Sequence, residues 1–573
     1  MKTNRLVLTW VLLIPGLLLA QSSGLDPAAL RRPLGDSWPS YSGDLTGRRY
    51  STLRQINKSN VRNLSLAWVA RGFTQGSGAT GRAPGQPGGT VGRGGGGGRG
   101  GSAGRYPLTV GGEGTGQYNT GGPAAIRGSI LMVDGVLYAT APDNVWAVDA
   151  RDGTVIWQYY WKTRGGTHTG HRGVGMWRNF LFSEFHDDYL VKLDARTGRE
   201  LWHVPIADFE QQYFSSMAPV VIDDHVLVGT GNDLDAPGFL QSYDPETGRR
   251  QWILYTVPMN PGDPGLETWP NLEAARHGGG QAWVPGVFDP ETRYYIFGTG
   301  NPTPAYTPAG RGEGVGLFTC SLVAVHVDTG KMAWHYQTSP RDMHDWDSSQ
   351  TPVLIDATIN GRPRKLVSTA ARNGYFFTVD RVTGEHVATG KFSSVANWAK
   401  GLDEEGRPVL NPEKVAAIPG TIVNGSTTNW PPPAYSPDTG LFYVPENNGL
   451  SIVYLIDPDP RGSMGLGGRQ GSAIGGYGNF ITAIDPKTAK VTWRHELSGA
   501  GGATGMLTTA GGLLFAGDGA GNLVAFDAGN GAPLWHARLG NVSNAPQTYT
   551  LDGKQYVLAA AGDALYAFAL YAP

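Results

Sequence analysis

Six times along the chain the same spacing returns: a small or apolar residue, one further residue, an acidic or polar one, three more, a small residue, three more, then Trp. It reads AVDARDGTVIW up to Trp157, KLDARTGRELW up to Trp202, SYDPETGRRQW up to Trp252, AVHVDTGKMAW up to Trp334, AIDPKTAKVTW up to Trp493 and AFDAGNGAPLW up to Trp535. Degenerate copies, VFDPETRYYIF, TVDRVTGEHVA and AYSPDTGLFYV, fill the gaps. Asp and Gly make a turn between two strands, and the second strand carries a Trp that docks on the neighbouring unit. Runs such as ILMVDGVLYATA and VVIDDHVLVGTG supply further strands, and helical periodicity is nearly absent. Units of roughly 40 to 55 residues with about four strands each predict an all-β fold, an eight-bladed β-propeller with tryptophan-docking repeats. LSLAWVA around Trp68 is expected to pair with the last strands and close the ring without an open edge.

Composition narrows the function. The 573 residues include only 16% charged side chains at a net charge of -2, so there is no basic field for a nucleic acid. The opening MKTNRLVLTWVLLIPGLLLAQSSG has two basic residues, an apolar run and a small residue at Ala20, the pattern of a cleaved export signal over 1–20. A periplasmic protein with no stable membrane insertion is expected. The mature chain, 21–573, reads as one propeller interrupted by a polar, Gly-rich insertion at about 71–122. Its centre, GQPGGTVGRGGGGGRGGSAG, is too poor in apolar residues to order itself. A single cysteine, Cys320, excludes an intrachain disulfide, a haem-attachment motif and a Cys-based metal cluster, so redox chemistry would need a bound organic cofactor.

One stretch concentrates acid: RDMHDWDSSQTP places Asp342, Asp345 and Asp347 beside His344 and Trp346. Together with WPSYSGDLTGRRYSTLRQINKSNVRNLSLAWV, GTGNP, ARNGYFFTVDRVTGE and NWPPPAYSP, in that family's order, it makes the chain resemble the pyrroloquinoline quinone (PQQ)-dependent alcohol dehydrogenases over nearly the whole mature length. The resemblance implies Asp345 as the catalytic base and Arg372 as the donor to the quinone oxygens. It implies a cofactor site of Arg172, Ser216, Trp283, Arg372, Asn429 and Trp430. For one metal ion, calcium or a lanthanide, it implies Asp233, Asn301, Asp345 and Asp347.

Residue chemistry agrees with several of these roles. Two carboxylates at i and i+2 of a strand face the same side and call for a cation between them. The amide oxygen of Asn301 suits a hard cation, a planar guanidinium suits a carboxylate, and an indole suits a flat ring. The plainer reading of Asp342 and Asp347 is that they cap turns, and of Asn301 that it belongs to a Gly-Asn-Pro turn. Asp233 stands where the family has glutamate, with Asp235 as its competitor. Gly166 and Thr167 stand where many members have adjacent cysteines. His344, beside the expected base, would tune it or simply pack.

The reading is thus a periplasmic dehydrogenase that passes hydride from an alcohol or related hydroxyl compound to PQQ, with a separate cytochrome-type acceptor, since the chain has no haem motif. The alternative is a non-catalytic propeller that keeps the architecture as a binding or scaffold protein. An outer-membrane assembly lipoprotein fits less well, because no Cys follows the export segment.

Overall fold

The computed structural model describes residues 24–75, 108–112, 114–116, 122–165, 170–457, 468–499 and 504–571. The export segment expected at 1–20 and the positions Gly166 and Thr167 lie outside these residues. Short apolar runs ended by Asp-Gly or Gly turns form strands throughout, and the one α-helix among the described residues is the five-residue Leu272–Arg276.

Eight sheets, each with a core of four antiparallel strands, follow one another along the chain. Seven are continuous in sequence, spanning 131–160, 175–205, 220–255, 287–337, 353–391, 434–496 and 507–538. The eighth joins Gln547–Leu551, Lys554–Ala561 and Ala564–Leu570 to the early strand Leu64–Arg71, so the two ends of the chain share one sheet, as expected.

The repeat explains how the sheets stack. Each Trp sits on the outermost strand of its sheet, and all but Trp535, which reaches the Leu64 carbonyl of the closing strand, lie over the turn glycine of a later sheet. A Cβ at Gly198 would come within 2.7 Å of the Trp157 ring, at Gly330 within 2.6 Å of Trp252, at Gly384 within 2.8 Å of Trp334 and at Gly531 within 2.6 Å of Trp493. All four glycines have positive φ. In four of them the indole N–H also donates to a carbonyl of that turn, Trp157 to Ala195 and Trp202 to Glu246 at 3.1 Å, Trp252 to Val327 at 2.7 Å and Trp334 to Arg381 at 3.2 Å. Trp68, outside the six copies, docks in the same way on Gly153 and the Ala150 carbonyl. In AIDPKTAKVTW the turn carries Ala489, at φ 55. The preceding sheet has Ala388 opposite Thr378, where its counterparts have Trp, so no ring lies over this turn to exclude a methyl. Only Trp157 and Trp334 of the six are buried; the outermost strand is the rim of each sheet, and the other four are partly exposed.

A segment near the start crosses the inner strands like a strap. Asp36 accepts from Thr550 N, Trp38 exchanges two backbone bonds with Met132, and the carbonyls of Leu45, Thr46, Arg48 and Arg49 accept from Phe288, Leu354, Tyr435 and Thr508. Arg49, with no exposed surface, donates to the carbonyls of Met506, Tyr41 and Pro546 at 2.7, 2.9 and 2.8 Å. Three carbonyls satisfy the guanidinium without a counter-ion, although burial lowers its pKa to about 10.

The Gly-rich insertion corrects one expectation. Within 71–122, Leu108–Gly111 adds a fifth, parallel strand to the outer edge of the first sheet, and Thr74–Gln75 pairs with Gly122–Pro123. An exposed edge offers unpaired backbone groups to any extended segment, whatever its composition. The centre of the insertion lies outside the described residues.

Candidate active site

Antiparallel topology decides which loops meet. The connection entering the first strand of each sheet and the one joining its second and third strands emerge on the same face, while the Asp-Gly turns emerge on the other. Arg127, Arg172, Ser216, Trp283, Asp345, Asp347, Asn429 and Trp430 lie on entering connections, and Asp233, Asn301 and Arg372 on second-to-third connections. Apart from Asn301, all of them line one cavity of about 440 Å³. Asn301 lies just behind its wall, reached through Asn232 and Asp347.

At one end of the cavity Arg372 binds two carboxylates. Its Nη1 and Nη2 donate to Asp345 Oδ1 and Oδ2 at 3.0 and 2.9 Å, and Nη1 also donates to Asp347 Oδ2 at 2.6 Å. Asp347 has no exposed surface and accepts from the Asn301 backbone N–H at 2.7 Å and from Asn232 Nδ2 at 3.0 Å. These partners are remote in sequence, so Asp347 is not a turn cap. Asp342 is: its carboxylate takes the backbone N–H groups of His344, Asp345 and Trp346 at 3.1, 3.0 and 3.1 Å. The stretch is an irregular loop and not a strand, which corrects the i, i+2 argument. Asp345 adopts a left-handed φ of 68°, and this local twist, fixed by Asp342, brings it to the same guanidinium as Asp347.

Burial pushes the Asp345 carboxyl up to about 6, with Arg372 pulling it down and Asp347 pushing it up. Tyr306 donates to Asp345 Oδ2 at 3.1 Å. Burial opposes the charge of Arg372, but the fields of Asp345 and Asp347 outweigh it and raise its pKa. Asp233 is raised well above the usual carboxylate range by burial, then by Asp345 and Asp347. Its competitor Asp235 instead pairs with His277 at 3.0 Å, away from the cavity. Asn301 Oδ1 accepts from Asn232 Nδ2 at 2.9 Å. Gly300 makes this approach possible, since a Cβ there would come within 2.2 Å of Asn232 Oδ1. Among the described residues no three Asp, Glu, His or Cys side chains converge closely enough to enclose a metal ion; Arg372 supplies the positive charge between the paired acids.

The opposite wall is aromatic and cationic. The Arg172 guanidinium lies 4.5 Å from the Trp283 ring centre and 5.4 Å from that of Trp430, and its Nη1 donates to the Ser216 carbonyl at 2.8 Å. Burial lowers its pKa to about 10. Asn429 turns its side-chain oxygen to the Trp430 N–H at 2.8 Å. His344 packs: its ring stacks on Trp346 at 5.4 Å and also meets Trp398. Sequence reasoning missed Arg127, His171, Phe214 and Asn232 in the cavity lining, and Tyr306 behind Asp345. Arg127 and Phe214 precede first strands just as Trp283 does, so the topological rule would have found them.

The propeller face thus gathers a bidentately held carboxylate, a buried acid pair and a Trp-Arg wall around one concave cavity rather than a flat surface. The family model described as PQQ, glucose/ethanol/alcohol dehydrogenase, beta-propeller domain, matches residues 38–88 and 112–399. A second model, described as outer membrane protein assembly factor BamB, matches residues 478–570. The quinoprotein alcohol dehydrogenase PedH of Pseudomonas putida is 33% identical over 75% of this chain and 78% of its own. The structure of quinohemoprotein alcohol dehydrogenase ADHIIG from Pseudomonas putida HK5 superposes with a TM-score of 0.80 at 28% identity, covering 96% of this chain and 83% of the other. A europium-containing methanol dehydrogenase gives 0.76 at 26% identity over 95% and 99%. The chain belongs to the PQQ-dependent alcohol dehydrogenase family, a family of oxidoreductases.

Proposed function

We propose that this chain is an exported, eight-bladed quinoprotein dehydrogenase that oxidises an alcohol or related hydroxyl compound. The observation that carries the reading is the single cavity in which Asp345, held by Arg372, faces the Trp283 and Arg172 wall. A flat, carboxylate-bearing quinone fits this wall: Arg172 Nε and Trp283 Nε1 are buried donors without a partner in the protein. Trp283, Arg172, Ser216, Arg372, Asn429 and Trp430 would hold it. A hard cation fits the oxygen donors Asp233, Asn301, Asp345 and Asp347, and the buried Asn232 Oδ1 is a further unpartnered oxygen beside them. Bound there, PQQ supplies the hydride acceptor and the cation its electrophilic assistance.

The protein's own part is proton transfer and positioning. Asp345 takes the hydroxyl proton on its carboxylate, whose pKa burial has moved toward neutrality. Arg372 and the Tyr306 hydroxyl fix the orientation of that carboxylate. Arg372 keeps its charge throughout and stabilises negative charge developing beside it. Electrons leave to a separate cytochrome-type acceptor.

The test is dye-linked oxidation after reconstitution with PQQ and either calcium or a light lanthanide. The parent is expected to turn over, and Asp345→Asn to lose about 10²-fold or more in kcat with the quinone still bound. Asp347→Ala is expected to abolish lanthanide-supported activity and spare calcium-supported activity, since a trivalent ion needs more anionic oxygens. An inactive parent with both metals, or Asp345→Asn at parental rate, would refute the assignment.

A further inference from the structure

The Asp345–Arg372 pair has open space on both sides. A second cavity of about 250 Å³, lined among others by Tyr306, His344, Ser426 and Ser451, adjoins the first. Asp345 and Arg372 are the only residues common to the two linings, so the pair forms the partition between them.

The hold on Arg372 is uneven. Three of its four side-chain hydrogen bonds go to Asp345 and Asp347, the carboxylates proposed above as ligands of a cation. A cation drawing on those oxygens competes for them and repels the guanidinium. The second cavity then gives the side chain somewhere to retreat, and a released arginine regains rotamer entropy.

The fourth bond does not depend on the acids. Arg372 Nε donates to Ser426 Oγ at 3.1 Å. Backbone bonds fix the position of that hydroxyl. Gly425 N–H donates to the Gly449 carbonyl at 2.9 Å and Asn447 N–H to the Thr427 carbonyl at 2.7 Å, which ties the segment to the strand Leu441–Asp457. Thr427 N–H donates to the carbonyl of Arg372 itself at 2.9 Å. The guanidinium is planar, so a bond at Nε sets the direction in which both Nη groups point.

We propose that Ser426 is a positioning residue, which keeps Arg372 turned to the reaction cavity when a cation shares Asp345 and Asp347. The assignment rests on the cation-assisted dehydrogenase reading above.

The test follows Arg372 directly, through its rate of modification by 2,3-butanedione, read by mass spectrometry of the peptide that carries it. Calorimetric titration with calcium reports cation binding separately. Without calcium, the parent and Ser426→Ala are expected to react equally slowly, because the carboxylates suffice to hold the side chain. With calcium the parent should stay slow and Ser426→Ala should react about tenfold faster, having lost a hydrogen bond to a charged group. In the PQQ- and calcium-loaded protein, Ser426→Ala should lose about tenfold in kcat on 1-butanol with KM and PQQ affinity unchanged, and Ser426→Thr should restore it. Ser451→Ala changes a second serine of the same lining that makes none of these bonds, and should behave as the parent. Calcium binding with equal modification rates in parent and Ser426→Ala would overturn the proposal. So would a loss shared by Ser451→Ala or left unrestored by Ser426→Thr. If the parent bound no calcium, the cation reading would fall and the proposal with it. If the parent bound calcium but left 1-butanol unoxidised, the fault would lie with the dehydrogenase reading, and the modification rates would still decide the role of Ser426.

Discussion

Replacing Gly198 by Ala tests whether the Trp-to-Gly docking holds neighbouring sheets together. Gly198 has φ 71, where a side chain costs about 1 to 2 kcal/mol. Its added methyl would stand 2.7 Å from Cδ2 and Cε3 of Trp157, a ring that is 1% exposed and tied to Ala195 by its indole N–H. Neither the ring nor the turn can retreat without breaking that bond, so an overpacking cost of about 1 to 3 kcal/mol adds to the backbone cost. The expected total is about 2 to 5 kcal/mol. Gly553 is the matched control: its φ is 75, yet nothing lies within 4 Å of a methyl built there. Gly553→Ala should cost only the backbone part, about 1 to 2 kcal/mol. Denaturant unfolding of both variants and the parent, followed by far-ultraviolet circular dichroism, measures the difference. Equal destabilisation at the two sites would mean that the indole does not brace the adjacent turn.

Trp283→Ala should weaken quinone binding by at least about 1 kcal/mol while leaving the fold intact, as read by calorimetric titration and circular dichroism; unchanged affinity would place the cofactor elsewhere. His171 should shape the acid limb of stability. Burial pushes its pKa down to about 3, so the fold favours the neutral ring. The corresponding stability is complete above the ordinary value of about 6.5 and is lost as pH falls toward 3. At pH 5 the loss is about 2 kcal/mol, and His171→Gln should remove that part of the slope; identical acid limbs would refute it.

The repeat made the architecture legible because each of its residues has one geometric duty, and the partner for most of the docked Trp residues is the turn of another full or degenerate copy of the motif. The closing strand around Trp68 could be read for the same reason. What pattern alone could not supply was the loop holding Asp345. Its direction comes from Asp342 capping three successive N–H groups and a left-handed turn, a three-residue effect with no periodicity. Arg372 as the shared partner of Asp345 and Asp347 was likewise out of reach, since the ion pairs span 27 and 25 positions of sequence. Arg127 was missed because a lone arginine before a strand has no signature until the topology shows that all such positions open on one face.

The strap through residues 36–51 ties the order of synthesis to the order of assembly. Its bonding partners run from Met132 to Thr550, and Leu64–Arg71 waits for Ala564–Leu570. The part of the chain made first therefore has no home until the part made last exists, and its contacts span almost the largest sequence separations the molecule offers. Such contacts carry the full entropy of loop closure before they return any stability. Intermediate sheets can form from local hairpins, but the ring locks in one late step, and a chain cut short near residue 540 would lack both the clasp and the strap's last anchor.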